Sequence, residues 1–210
     1  MTLARFITRD LPKTRVIDVR RIGIGSSRRY VVIKTLQFVT LLLFSLVTGV
    51  FWGTWFSLSR SIGAITPATF LEVGRIMIGN LAGPMSLLMP AALLSATILG
   101  VVLYRHRQTK ASNFTIAAFV LMLVAMIITL VVNVPIDGEI QSWTTGTLPS
   151  DWSAIRDRWE FYHGLRTVIS LFALACLFAG TLATTTIVRI TGDRQGERTE
   201  QRRTTRPSAA

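Results

Sequence analysis

Four stretches of this chain contain no Asp, Glu, Lys or Arg, and each is long enough to cross a bilayer: residues 35–59, 76–104, 111–136 and 167–188. A helix needs roughly 20 consecutive apolar residues to traverse the hydrocarbon core. Backbone groups in lipid must be satisfied within the segment, which leaves helices rather than open strands. The pattern predicts an all-α fold, a four-helix transmembrane bundle from about residue 32 to residue 190. A mean hydropathy of +0.48 over the 210 residues agrees with it.

The net charge of +12 could suggest a nucleic-acid partner, but the distribution of charge argues against one. Arg5, Arg9, Lys13, Arg15, Arg20, Arg21, Arg28, Arg29 and Lys34 precede the first span. Arg105, Arg107 and Lys110 separate spans two and three, and Arg189, Arg194, Arg198, Arg202, Arg203 and Arg206 follow span four. The other two connections carry mixed charge. Short basic loops stay on the cytoplasmic side. Both termini and the middle loop are therefore expected inside, in an integral protein of the bacterial plasma membrane. Residues 1–31 read as a basic cytoplasmic arm and residues 191–210 as a basic cytoplasmic tail, both disordered and both able to touch anionic lipid. Membrane lipids are the expected partners, and nucleic acid is not.

Punctuation inside the spans is sparse. Pro67 after Thr66 predicts a short helix over residues 68–81, lying at the outer surface before span two. Pro84 and Pro90 fall within span two and each removes a helix hydrogen bond. Gly49-Val50-Phe51-Trp52-Gly53 has GxxxG spacing, which permits close helix approach but is common by chance. Trp52 and Trp55 read first as interfacial anchors. The lone Cys176 lies mid-span and reads as a small packing residue.

Polar and aromatic residues converge on one end of the bundle. Span three closes with Asn133-Val134-Pro135-Ile136-Asp137, and Pro135 predicts that the helix ends near Asn133. A helical extension before span four carries Trp152, Arg156, Trp159, His163 and Arg166 within an arc of roughly 80° at 100° per residue. Ionisable groups at that depth need partners or a function. Arg166 is expected to pair with Asp137 or Asn133, and Arg75, Asn80 and Glu72 fall at the same level. Alternative readings stand beside these: His163 as a histidine at the lipid interface, and Arg166 as a snorkelling side chain. No metal is expected, because His106, His163 and Cys176 fall at three different depths. Phosphate-binding glycine loops and a Ser-His-Asp arrangement are also missing from the sequence.

These motifs resemble the anthrone-oxygenase-like family of small four-helix membrane proteins. The matching residues are Thr48-Gly49 in span one, Pro84 after Asn80 at the start of span two, the Asn133–Asp137 motif, and Arg158-Trp159 through His163 to Arg166-Thr167. The resemblance covers about residues 35–190. Characterised relatives are linked to the oxidation of aromatic polyketide anthrones to quinones by molecular oxygen, without an obvious cofactor. Asp137 stands where the family usually has Asn, and Arg75 where many members carry Gln, so both put charge into the presumed pocket.

The resemblance implies an oxygenase that uses no cofactor and acts on an aromatic or lipophilic substrate at the outer end of the bundle. His163 would act as base. Arg166 and Asn133 would stabilise an oxyanion. Trp159 would stack on a flat ring, with Asn80, Asp137 and Arg75 lining the pocket. A non-enzymatic accessory or lipid-binding membrane protein is the rival reading. It predicts an apolar cavity open to lipid. A transporter is disfavoured by four spans without an acidic residue in any of them.

Overall fold

The computed structural model describes the backbone of residues 19–59 and 61–204, and the side chains of residues 28–59 and 61–184. All regular structure among them is helical. Helix α1 runs Val19–Thr54 and ends in a π turn, Trp55–Ser59. A 3-10 turn, Ile62–Ala64, leads to α2, Pro67–Arg105. Then follow α3, Thr109–Ile128, a π turn, Thr129–Asn133, and α4, Val134–Ser142. The last helix, α5, runs Trp152–Thr204. Four helical segments are long and apolar enough to span a membrane: Arg28–Ala64, Pro67–Arg105, Thr109–Ser142 and Trp152–Thr184. Residues 1–18 of the expected disordered arm lie outside the described residues, and from Val19 on its backbone is the start of α1. Past residue 190 the backbone continues as helix to Thr204, and the side chains there lie outside the described residues.

Two helix boundaries differ from expectation. Residues 68–81 are helical, but they run on unbroken into span two as the first turns of α2. Thr66 caps that helix by accepting from the Thr69 amide at 3.3 Å, and Pro67 occupies the first turn, where its missing N–H has no partner to lose. The third span does not stop at Asn133. The chain widens into the π turn and re-forms α-helix over Val134–Ser142, with Pro135 in the first turn of α4. A local change to wider spacing places the proline where no i−4 acceptor is needed.

Side-chain pairings set an up-down-up-down order. Gln37 Nε2 donates to Thr184 Oγ1 at 3.0 Å, and Thr48 Oγ1 donates to the Ser170 carbonyl at 3.4 Å, so α1 and α5 run antiparallel. Ser112 Oγ reaches the Gly100 carbonyl at 3.4 Å across the α2–α3 turn. That turn is closed by Arg107 at φ 56°, with Arg107 and Gln108 amides donating to the Tyr104 and Leu103 carbonyls at 3.0 Å each. This is a Schellman closure with Arg in the left-handed position that glycine usually takes.

The central core joins Phe44, Val47 and Phe51 of α1 to Met89 and Ala92 of α2, Met122 of α3 and Leu177 of α5. Fully buried Ala92, Ala118, Ala125 and Ala173 let the helices approach closely, the packing favoured where lipid offers no hydrophobic drive. Gly49 and Gly53 do not take part: both are exposed, and a Cβ at either would meet nothing within 4 Å. Cys176 is half-buried against the core. The outer face is apolar, with Leu87 74% and Phe172 62% exposed, as a lipid-facing surface should be. Hydroxyls in the spans bond back to their own helix, Thr97 to the Leu93 carbonyl and Thr115 to Ala111, both at 2.9 Å.

Candidate functional site

A cavity of about 670 Å³ lies at the end of the bundle where α1 finishes and α2 begins. Its walls are mostly aliphatic and methionine side chains, including Met77, Met85, Met89 and Met126. The ionisable groups enter from one side, formed by α4 and α5: Asp137, His163 and Arg166, with Trp159 and Thr129 beside them; Thr54, Ser86 and Gln141 are the other polar side chains of the lining.

Helical periodicity on α5 brings Trp159, His163 and Arg166 to one inward face. The Trp159 and His163 rings stack, 5.0 Å between centroids and 4° from parallel. Phe51 of α1 meets His163 edge-on at 6.2 Å. Arg166 donates to His163 Nδ1 from Nε at 3.1 Å and from Nη2 at 2.7 Å, and its Nη1 donates to Thr129 Oγ1 at 3.0 Å. The guanidinium carbon sits 4.5 Å above the Phe51 ring, a cation–π contact in a dry setting. Because both Arg166 donors converge on Nδ1, that nitrogen carries the lone pair and the ring proton belongs on Nε2. His163 Nε2 is buried without a hydrogen bond among the described residues.

Trp159 ties Asn133 and Asp137, near the end of span three, to α5. Its Nε1 donates to Asp137 Oδ1 at 2.8 Å, and its carbonyl accepts from Asn133 Nδ2 at 3.3 Å. Asn133 is fully buried, and its Oδ1 has no partner. The expected direct pairing of Arg166 with Asp137 or Asn133 is not formed. The hydrogen bonds of the guanidinium go to His163 and Thr129 instead. Asp137 Oδ1 is taken up by the Trp159 indole N–H.

Of the residues singled out from the sequence, His163, Arg166, Trp159 and Asp137 line the cavity, and Asn133 buttresses it from behind. Asn80 is exposed and does not line it. Arg75 is also exposed, in a separate depression with Glu72, Thr144 and Thr145. Trp152 and Arg156, the other members of the α5 arc, form an outer layer. The Arg156 guanidinium lies 5.0 Å above the Trp152 ring and pairs with Asp157 at 2.7 Å, while Trp152 packs on Phe70 at 5.7 Å. Sequence reasoning missed Phe51 and Thr129. Thr129 lies four residues before Asn133, on the same face of span three, so its spacing carried a signal. Phe51 carried none beyond its place in an apolar run. Among the described residues no three His, Cys, Asp or Glu side chains group together as metal ligands would.

A four-span membrane protein with an apolar cavity, closed at one end by an Arg–His–Trp–Asp wall, is the class that this fold and site define. The anthrone oxygenase family model matches residues 80–176, from α2 to the middle of α5, and over that region the chain is anthrone-oxygenase-like. The matched region carries the whole polar wall, whereas Phe51 and the α1 side of the cavity lie outside it. No curated protein and no solved structure matches the chain.

Proposed function

We propose that the protein is an oxygenase that works without a cofactor on a lipophilic aromatic substrate bound in this cavity. The observation that carries the reading is one wall that presents a carboxylate and a guanidinium to a largely apolar chamber. A substrate with an activated CH₂ group between aromatic rings can be oxidised directly. One C–H proton leaves to a base, and the carbanion, delocalised as a phenolate, gives an electron pair to dioxygen and forms a C–O bond. The proton returns to give a hydroperoxide. Loss of the second C–H proton and departure of hydroxide across the O–O bond leave a ketone and, once they combine, water.

The geometry favours Asp137 as the base over His163. His163 Nδ1 already faces the Arg166 fork, and its other nitrogen carries the proton. Asp137 Oδ1 is held by Trp159, and Oδ2 has no hydrogen bond among the described residues. Arg166 supplies the positive charge. Its three nitrogens make one bond each, and a guanidinium has five N–H groups, so two remain for a phenolate oxygen. His163, Trp159 and Asn133 position these two. The basic segments support a cytoplasmic location for both termini and the Arg105–Lys110 turn, which puts the cavity in the outer half of the membrane. The basic arm and tail would then lie against the anionic inner leaflet.

The test is oxidation of an anthrone by the protein in lipid nanodiscs under ¹⁸O₂. One labelled oxygen in the ketone, lost in Arg166→Gln and Asp137→Asn, is the expected result. Product formation no faster than in empty nanodiscs would leave the lipid-binding accessory protein as the better reading, which the lipid-facing lining of the cavity also suits.

A further inference from the structure

The cavity is not closed evenly. Its lining residues on α1 and α5 are buried or half-buried, among them Phe51, Thr54, Trp159, His163 and Arg166. Lining residues that are also exposed fall on two walls only: Ala82, Ser86 and Pro90 on α2, and Leu130, Val134, Gly138 and Gln141 on the π turn and α4, with Gln141 at the end nearest the Gly74–Ile140 contact. They mark an opening of the cavity between α2 and the π turn with α4, a window flanked on either side by helix contact. At one end Gly74 meets Ile140 closely enough that a Cβ would lie 3.4 Å from the isoleucine methyl. At the other, Ser112 bonds the Gly100 carbonyl at 3.4 Å. By sequence position this window sits within the spanning segments, so it opens to hydrocarbon rather than to water.

Both walls of the window depart from regular helix. Pro84 and Pro90 remove two backbone hydrogen bonds from α2, and the facing wall is the π turn Thr129–Asn133. The chamber thus holds its charged and imidazole groups at the α4–α5 wall and is mostly apolar from there to the window. A compact aromatic would use only the polar side.

We propose that the ligand of this cavity is an amphiphile: an acidic aromatic head, a phenol or enolisable ketone, held at the Trp159–Arg166 wall, with a linear hydrocarbon tail leaving between Ser86 and Val134 into the bilayer. The inference rests on the proposed function for the head and adds the tail and its route. The ligand enters sideways from the membrane, so its head never crosses open water.

Photolabelling of the full chain in phosphatidylcholine nanodiscs tests it. Two 4-dodecylphenol probes are used, one with a diazirine in the ring and one with it mid-tail, followed by peptide mapping. The expected result is ring labelling at Trp159–Arg166 and tail labelling at Ser86, Pro90, Leu130 or Val134. Ring labelling at that wall with tail labelling on the opposite interior side, at Ile62 or Phe70, overturns the tail route and leaves the proposed function standing. Absence of ring labelling in the cavity overturns both. A second measurement compares the ring probe with and without its dodecyl tail. Ser86→Trp, a lipid-exposed change, should lower the tailed-to-tailless labelling ratio by about tenfold or more. Leu87→Trp, exposed but outside the cavity lining, should not change that ratio. An unchanged ratio in Ser86→Trp overturns the route.

Discussion

The Arg166 guanidinium reaches His163 Nδ1 twice, from Nη2 at 2.7 Å and from Nε at 3.1 Å, one helical turn apart on α5. The pair defines the polar wall more than either residue does alone. It makes His163 an acceptor at Nδ1, fixes the ring against Trp159, and leaves part of the guanidinium free to meet a ligand. Removing one partner therefore harms the other.

His163→Ala should damage both folding and turnover. It strands two donors of a guanidinium that is only 8% exposed, a loss of about 1–3 kcal/mol. His163→Gln, whose side-chain oxygen can accept from Arg166, should recover most of the folded yield. Thermal unfolding in detergent, followed by the monodisperse fraction, measures this. Equal yields for the alanine and glutamine variants would show that the Arg166–His163 bonds do not hold the site together.

Arg166→Lys should behave nearly as badly as Arg166→Gln. An ammonium cannot present the planar fork that reaches His163 Nδ1 and Thr129 Oγ1 together. The expected unfolding cost is about 3 kcal/mol, since the arginine is a buried charge tied into its surroundings. A lysine variant with unaltered stability would mean that charge alone matters at this position.

Asp137→Asn separates catalysis from structure. Asparagine keeps an oxygen to accept from Trp159 Nε1, now at 2.8 Å, so the fold should persist. Turnover of an anthrone should fall by roughly 10²–10⁴-fold if Asp137 is the base. Retained activity in this variant, with activity lost in His163→Gln, would return the base assignment to His163.

Gly164 is needed because α1 comes close. A Cβ there would sit 2.9 Å from Trp55 Nε1 and 3.4 Å from its Cδ1. Gly164→Ala should cost about 1–3 kcal/mol through overpacking against a rigid indole. The double variant Gly164→Ala with Trp55→Phe should recover much of that loss in the same unfolding assay. Additive losses instead would place the glycine's importance elsewhere.

Orientation is open to a direct chemical test. With Cys176→Ser as background, single cysteines at Ser142 and Ser208 should label from opposite sides of intact cells. The charge asymmetry predicts position 142 outside and position 208 inside. Labelling of both from one side would defeat the assigned topology.

Sequence alone settles the number of spans, the all-helical class and the end of the bundle that holds the polar groups. Those properties follow from quantities a sequence states directly: 20-residue runs without charge, and a 100° repeat that puts Trp159, His163 and Arg166 on one side of α5. It also singles out Asp137 and Asn133, because polar residues at the end of an apolar run stand out against lipid. Pairing between helices is a different matter. Whether Arg166 meets Asp137, Asn133 or His163 depends on the rotation and register of α3–α4 against α5, and no one-dimensional period contains that. The π turn shifts the phase of every residue after Thr129, which is why Asp137 reaches Trp159 and Pro135 fails to end the helix. Arg75 and Asn80 share the polar level of the site yet point away from it, since depth is written in residue number but direction is set by how α2 packs. The window between Ser86 and Val134 belongs wholly to tertiary structure: it exists because two irregular helix walls meet above and below and not between.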